Sequence, residues 1–171
     1  TAGNLNWELG ELFSRMRGDN SIRVIVLTGS DENFNVPGEM HHYHDPKWQS
    51  RYEDPARLWH TFTGIIRCHQ GMAEIEKPII AKVNGDAIGF GSSLVFSCHF
   101  IIAREDAIIM DNHMGGTVMA SYGGVRKPGG HEFSNIPGDG GTALLPLFMS
   151  PCKAKEYLML AESHTAAELA E

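Results

Sequence analysis

The stretch IIAKVNGDAIGFGSSLVFSCHFIIA, Ile79 to Ala103, constrains this chain more than any other part of it. Ile79 to Val83 is β-branched and apolar enough for a strand covered on both faces. Gly85, Gly89 and Gly91 then let the backbone turn sharply and approach a ligand with no Cβ in the way. Helical residues resume at Ser92, and Phe100 to Ala103 returns to strand. A strand that passes through glycines into a helix start leaves free N–H groups pointing into the turn, a ready site for an oxyanion, a phosphate or an enolate.

Two common uses of such a turn do not fit. The dinucleotide fingerprint needs a third glycine three residues after the second, where Leu94 stands. The phosphate loop needs Gly-Lys-Ser/Thr, and no such tripeptide follows Gly91.

Around this stretch, Leu5, Leu9, Leu12, Phe13 and Met16 recur at helical spacing, and Arg23 to Gly29 reads as a buried strand. Leu58, Phe62, Ile65, Ile66, His69 and Met72 mark an amphipathic helix over Pro55 to Ile75, with Leu58, Phe62 and Met72 expected in the core. Phe100 to Ala103 and Ala107 to Met110 are further short strands. This alternation predicts a single α/β domain over residues 1–171. Met114 to Ser134 has three Gly-Gly pairs and little apolar periodicity, so it reads as a long, mobile loop inserted at 114–134.

KPIIAKVNGDAIGFGSSLVFSCHFIIAREDA resembles the signature of the crotonase (enoyl-CoA hydratase/isomerase) superfamily. There a Lys-Pro strand leads through Asn-Gly to a Gly-x-Gly turn and a short helix. NIPGDGGTALLPLFMSPCKAKEYLMLAESHTAAELAE follows the superfamily's Ile-Pro-Gly-x-Gly-Gly-Thr turn and later helices. DENFNVPGEM resembles its Phe-x-x-Gly-x-Asp segment, with Pro37 where glycine is usual. The resemblance implies a crotonase-like spiral of ββα units. It also implies that the superfamily's first strands and its C-terminal helical part lie outside this sequence, as in a fragment.

The resemblance further assigns the oxyanion hole to the backbone N–H groups of Gly38 and Phe90, with Gly89, Gly91 and Ser93 as substrate-binding positions. Two fixed donors stabilise a carbonyl oxygen as it becomes an enolate, a term worth ~3 kcal/mol per donor. The plainer reading is two tight turns. Hydratases of the superfamily use two glutamates, whose positions here hold Ser93 and, in Asn112-His113, the histidine. Instead the chain carries His113 and, inside PGDGGT, Asp139, a pattern similar to 6-oxocamphor hydrolase-type members. That similarity implies hydrolytic carbon–carbon cleavage of a β-diketone, with a neutral histidine activating water and Asp139 orienting it. His131 is a rival for the same role. Against these stand a turn-forming aspartate before glycine and an exposed loop histidine.

Hydration or double-bond isomerisation of an acyl-CoA thioester is the alternative reaction. A catalytically inactive, oligomeric binding protein is the alternative from another class. No metal or redox cofactor is required by the primary reading, and a coenzyme A thioester enters only as substrate. His41, His42 and His44, with Asp45, have metal-ligand spacing, but no thiol or carboxylate cluster completes a site, which favours a solvated loop.

A formal charge of −7 with scattered basic residues argues against a nucleic-acid surface. No apolar run approaches the ~20 residues that span a bilayer, so no membrane partner is expected. Three distant cysteines, Cys68, Cys98 and Cys152, suggest reduced thiols and a cytoplasmic setting. By resemblance the chain forms a homotrimer or hexamer around a small carbonyl or acyl-CoA substrate.

Overall fold

Strand β2 (Ile79–Val83) lies in the middle of a parallel three-stranded sheet, between β1 (Ile25–Thr28) and β4 (Phe100–Ala103). The computed structural model describes residues 2–37, 53–115, 117–122, 125–130 and 136–171. Ile25 pairs with Ile79, and Ala81 with Ile101. The period of two along each strand puts Ile79, Ala81 and Val83 on one face. They share a core with Phe13 of helix α1 (Ala2–Gly18) and with Cys68 and Met72 of helix α2 (Pro55–Glu74). Burial of each large apolar side chain of this core stabilises the fold by about 1.5–3 kcal/mol.

The other face carries the register rows Val26–Ile80–Phe100 and Thr28–Lys82–Ile102. Val26 is 55% exposed and Ile102 64%. The expectation of a strand covered on both faces is therefore corrected: among the described residues the core lies on one side of this sheet. Helix α2 also turns differently from its sequence pattern. Gly64, Cys68 and Met72 are its buried residues, while Phe62 is 48% exposed and Leu58 is only partly buried. The small Gly64 sets the seam, because Trp7 of α1 packs directly onto it. The helix begins where the sequence announces it: Pro55 takes the first turn, and the Asp54 side chain accepts from the Ala56 N–H at 2.9 Å.

A second sheet orders β3 (Ala87–Ile88), β5 (Ile108–Met110) and β8 (His164–Thr165). Asn35 forms a further parallel bridge to Ala87. Successive chain segments thus give one strand to each sheet and then a helix: β1, the Asn35 bridge and α2; β2, β3 and helix α3 (Phe90–Phe96); then β4 and β5. This is the ββα spiral implied by the resemblance.

The stretch expected to be a loop, 114–134, instead contains strands β6 (Thr117–Tyr122) and β7 (Val125–Gly130), paired antiparallel from Thr117↔Gly130 to Tyr122↔Val125. Gly123-Gly124, Pro128 and Gly129-Gly130 interrupt the sequence there, which is why the pattern of apolar residues did not announce it. The chain closes with helix α4 (Gly141–Leu144), a 3-10 turn (Leu145–Leu147), helix α5 (Pro151–Leu160) and helix α6 (Ala166–Leu169). No described helix is long and apolar enough to cross a membrane.

Candidate active site

The glycine turn is shaped by contact with the segment before residue 38. Phe34 and Asn35 donate their N–H groups to the Asp86 carbonyl, and Ile88 donates to the Asn35 carbonyl at 2.8 Å. A Cβ on Gly91 would stand 2.3 Å from that same carbonyl oxygen, so only glycine lets the two segments meet. Gly89, the N-cap of α3, has φ 63° and ψ −119°, a conformation that favours glycine. Phe90 therefore opens the helix, where first-turn N–H groups have no partner within the helix. The helix starts at Phe90 rather than at Ser92. The oxyanion partner assigned to Gly38 lies outside the described residues, as do His131, His41, His42, His44 and Asp45.

His113 and Asp139 come together beside this turn. His113 Nε2 is 3.2 Å from Asp139 Oδ2. The ring's Cε1 lies 3.8 Å from the point a Cβ on Gly89 would occupy. Asp139 precedes α4 and is buried, and its Oδ1 accepts from the Ser93 hydroxyl at 2.8 Å. Ser93 is itself 1% exposed. In this structure its hydroxyl holds Asp139 in place from inside α3. Gly89 and Gly91 are likewise buried, and Phe90 is the half-buried residue of the turn.

Two groups of the site escaped the sequence reading. Asp111 is buried, and its Oδ1 accepts both from the His113 main-chain N–H at 3.0 Å and from His113 Nδ1 at 2.7 Å. The signal was present in Asp111-Asn112-His113, since an aspartate readily accepts from the backbone two residues on. His69 of α2 bonds Ser97 Oγ through Nδ1 at 2.8 Å, and its ring stands at 75° to that of Phe90 in a T-shaped contact, with centroids 5.8 Å apart. Its Nε2 is buried against the Asp139–Gly140 backbone and closes no hydrogen bond of ordinary geometry there. Nothing in its helical spacing distinguished His69 from a core-facing residue.

The environments push the two histidines apart. Burial opposes a charge on His113, but the hydrogen bonds and charges of Asp111 and Asp139 outweigh it and push the imidazole up to about 10. Burial lowers His69, against a smaller opposing pull from Asp139. Burial works against ionisation of Asp139, yet its bond to His113 and the charge there hold the carboxyl below the usual carboxylate range, with help from Ser93. The expectation of a neutral His113 near pH 7 is therefore corrected: between two carboxylates the resting ring is an imidazolium. Separately placed acid and base forms of this kind are what proton-transfer chemistry at neutral pH needs.

Asp111, His113 and Asp139 also each offer one atom of metal-binding type, all within 4.8 Å of one another. Each ring nitrogen already faces its own carboxylate, on opposite sides of the ring. The set fits a shared proton better than a shared ion.

A sequence model of the enoyl-CoA hydratase/isomerase family matches residues 3–128. The carnitinyl-CoA dehydratase of Proteus mirabilis is 28% identical over 163 residues, which cover 94% of this chain and 52% of that protein. The carnitinyl-CoA dehydratase of Citrobacter koseri is 29% identical over 165 residues, covering 95% and 53%. A crystal structure of an enoyl-CoA hydratase/isomerase from Mycobacterium paratuberculosis superposes with a TM-score of 0.76 at 26% identity, over 97% of this chain and 58% of that one. The enoyl-CoA hydratase of Bacillus anthracis shares the fold at a TM-score of 0.73 and 23% identity, over 97% of this chain and 57% of that one. The chain thus spans about half the length of the curated relatives it matches. With most of its length inside the family match and its ββα spiral shared with those structures, the chain belongs to the enoyl-CoA hydratase/isomerase family of the crotonase superfamily.

Proposed function

We propose that this chain carries the enolate-stabilising and proton-handling part of an enzyme that hydrates, dehydrates or isomerises an acyl-CoA thioester. The observation that carries the reading is the His113–Asp139 contact of 3.2 Å beside the Gly89–Phe90 turn. The N–H of Phe90, with that of Gly38, meets the thioester oxygen as it gains charge. The His113–Asp139 pair gives or takes the proton on the adjacent carbon. The acyl-CoA class draws its support from the names of the relatives, two carnitinyl-CoA dehydratases and an enoyl-CoA hydratase/isomerase. No named relative above supports cleavage of a β-diketone, so that reaction stands second, favoured only by a histidine–carboxylate pair in place of two glutamates. Assembly as a homotrimer or hexamer completes the proposal and is tested by sedimentation of the purified chain.

The deciding experiment incubates the chain with a short enoyl-CoA, a 3-hydroxyacyl-CoA and a cyclic β-diketone in parallel. Interconversion of the two thioesters, read by the absorbance of the conjugated enoyl group, is expected. His113→Ala should slow it by about 10²–10⁴-fold. Turnover of the diketone alone would move the second reading to first place. Binding without turnover of any substrate would favour an inactive binding protein.

A further inference from the structure

We propose that Asp111 is a positioning residue of this site: by accepting from both the main-chain N–H and Nδ1 of His113, it turns Nε2 toward Asp139 and fixes a proton on each ring nitrogen, so that His113 meets the substrate as an acid. The inference rests on the reading of His113 as the proton-handling group. Its geometry is independent of the substrate.

One carboxylate oxygen takes two donors from the same residue, at 3.0 and 2.7 Å, and this ties the ring to its own backbone. Rotation about the side chain would break the charge-assisted Nδ1 bond and leave buried Asp111 Oδ1 with only its main-chain donor, which is costly. On the far side, Asp139 is held by Ser93 and faces Nε2. Neutral imidazole has one N–H and one lone pair, whereas both partners here are acceptors, so only the doubly protonated ring satisfies both. The titratable groups around it come from several elements: Asp111 on its own segment, Asp139 before α4, His69 of α2 behind Asp139, and Tyr157 of α5 toward Asp111, its hydroxyl bonded to Ser92.

An acid at rest fixes the direction of the first proton transfer. In hydration of an enoyl thioester, the water oxygen bonds to the β-carbon and the double-bond pair moves into an enolate. The Nε2 proton is then given up from its contact with Asp139, the N–H bond breaking as the α-carbon–hydrogen bond forms, and the proton lost by the attacking water restores the ring. Dehydration runs the same steps backwards.

The test is a titration of the His113 ring by nitrogen-15 NMR in the substrate-free chain, followed by pH profiles of turnover. At pH 7 both ring nitrogens of the wild type should show the shifts of N–H, with deprotonation near pH 10. In Asp111→Asn the midpoint should fall by about 1–3 pH units, the range for loss of an adjacent opposite charge. The alkaline limb of kcat/KM should move down with it. An unchanged midpoint in Asp111→Asn, with Asp139→Asn alone shifting it, would overturn the proposal. Should Asp111→Asn fail to fold, the wild-type spectrum still decides: one unprotonated ring nitrogen at pH 7 contradicts it. Because the ring is read without substrate, failure here is distinguishable from failure of thioester turnover.

Discussion

His113 Nε2 stands 3.2 Å from Asp139 Oδ2, which joins the segment after β5 to the turn before α4 beside the Gly89 backbone. Twenty-odd residues separate the two along the chain, and neither is on a long element. Their meeting depends on the spiral that stacks β5 beside β3 and returns α4 against α3.

This contact makes stability depend on pH with a definite sign. The folded His113 titrates near 10, above the unfolded value of about 6.5, so its contribution is complete below about pH 6.5 and is lost as pH rises toward 10. Asp139 behaves oppositely: held below the usual carboxylate range, it stabilises above about pH 4 and loses this as pH falls further. Denaturant midpoints measured from pH 6 to 10 should decline in the wild type and decline less in His113→Gln.

Ser93→Ala removes the hydroxyl that donates to Asp139 Oδ1 at 2.8 Å and leaves a buried acceptor unmet. The expected loss is about 1–3 kcal/mol in chemical denaturation, accompanied by slower turnover as Asp139 loses its fixed orientation.

Gly91→Ala places a methyl group 2.3 Å from the Asn35 carbonyl, which is backbone and cannot swing away. A loss of more than about 2 kcal/mol is expected from the forced separation of the two segments, together with loss of activity. A fully active, equally stable variant would show that the close approach is dispensable.

The thiols should differ sharply in reactivity. Burial pushes the thiols of Cys68 and Cys98 up to about 12, while Cys152 is exposed. A thiol-specific reagent at pH 8 should modify Cys152 alone in the folded chain and all three cysteines after denaturation.

Much of the fold could be read from local signals. Strand β2 ends where its β-branched run ends, α2 begins at Asp54-Pro55, and the turn sits where the glycines cluster. What could not be read was set by partners distant in sequence. Phe62 is exposed because Trp7 seats α1 over Gly64, and an amphipathic pattern alone does not say which apolar residues a neighbour covers. The β6–β7 hairpin was concealed by its glycines and lack of apolar alternation, although Gly123-Gly124 between two six-residue runs is itself a hairpin signal. In the site, the motif pattern named His113 and Asp139. The pKa of His113 is raised by Asp111 together with Asp139, and the contact with Asp111 appears only once its carboxylate is seen bonded to the ring.

Deuteration of the α-carbon during hydration tests the central claim most directly. A short-chain enoyl-CoA incubated with the chain in deuterated water should give a 3-hydroxyacyl-CoA that carries deuterium at the carbon next to the thioester, read by mass spectrometry. Uptake should fall by about 10²–10⁴-fold in His113→Ala and in Asp139→Asn. Uptake at the wild-type rate in both variants, or none with the wild type on any acyl-CoA offered, would contradict the assignment of proton handling to this pair.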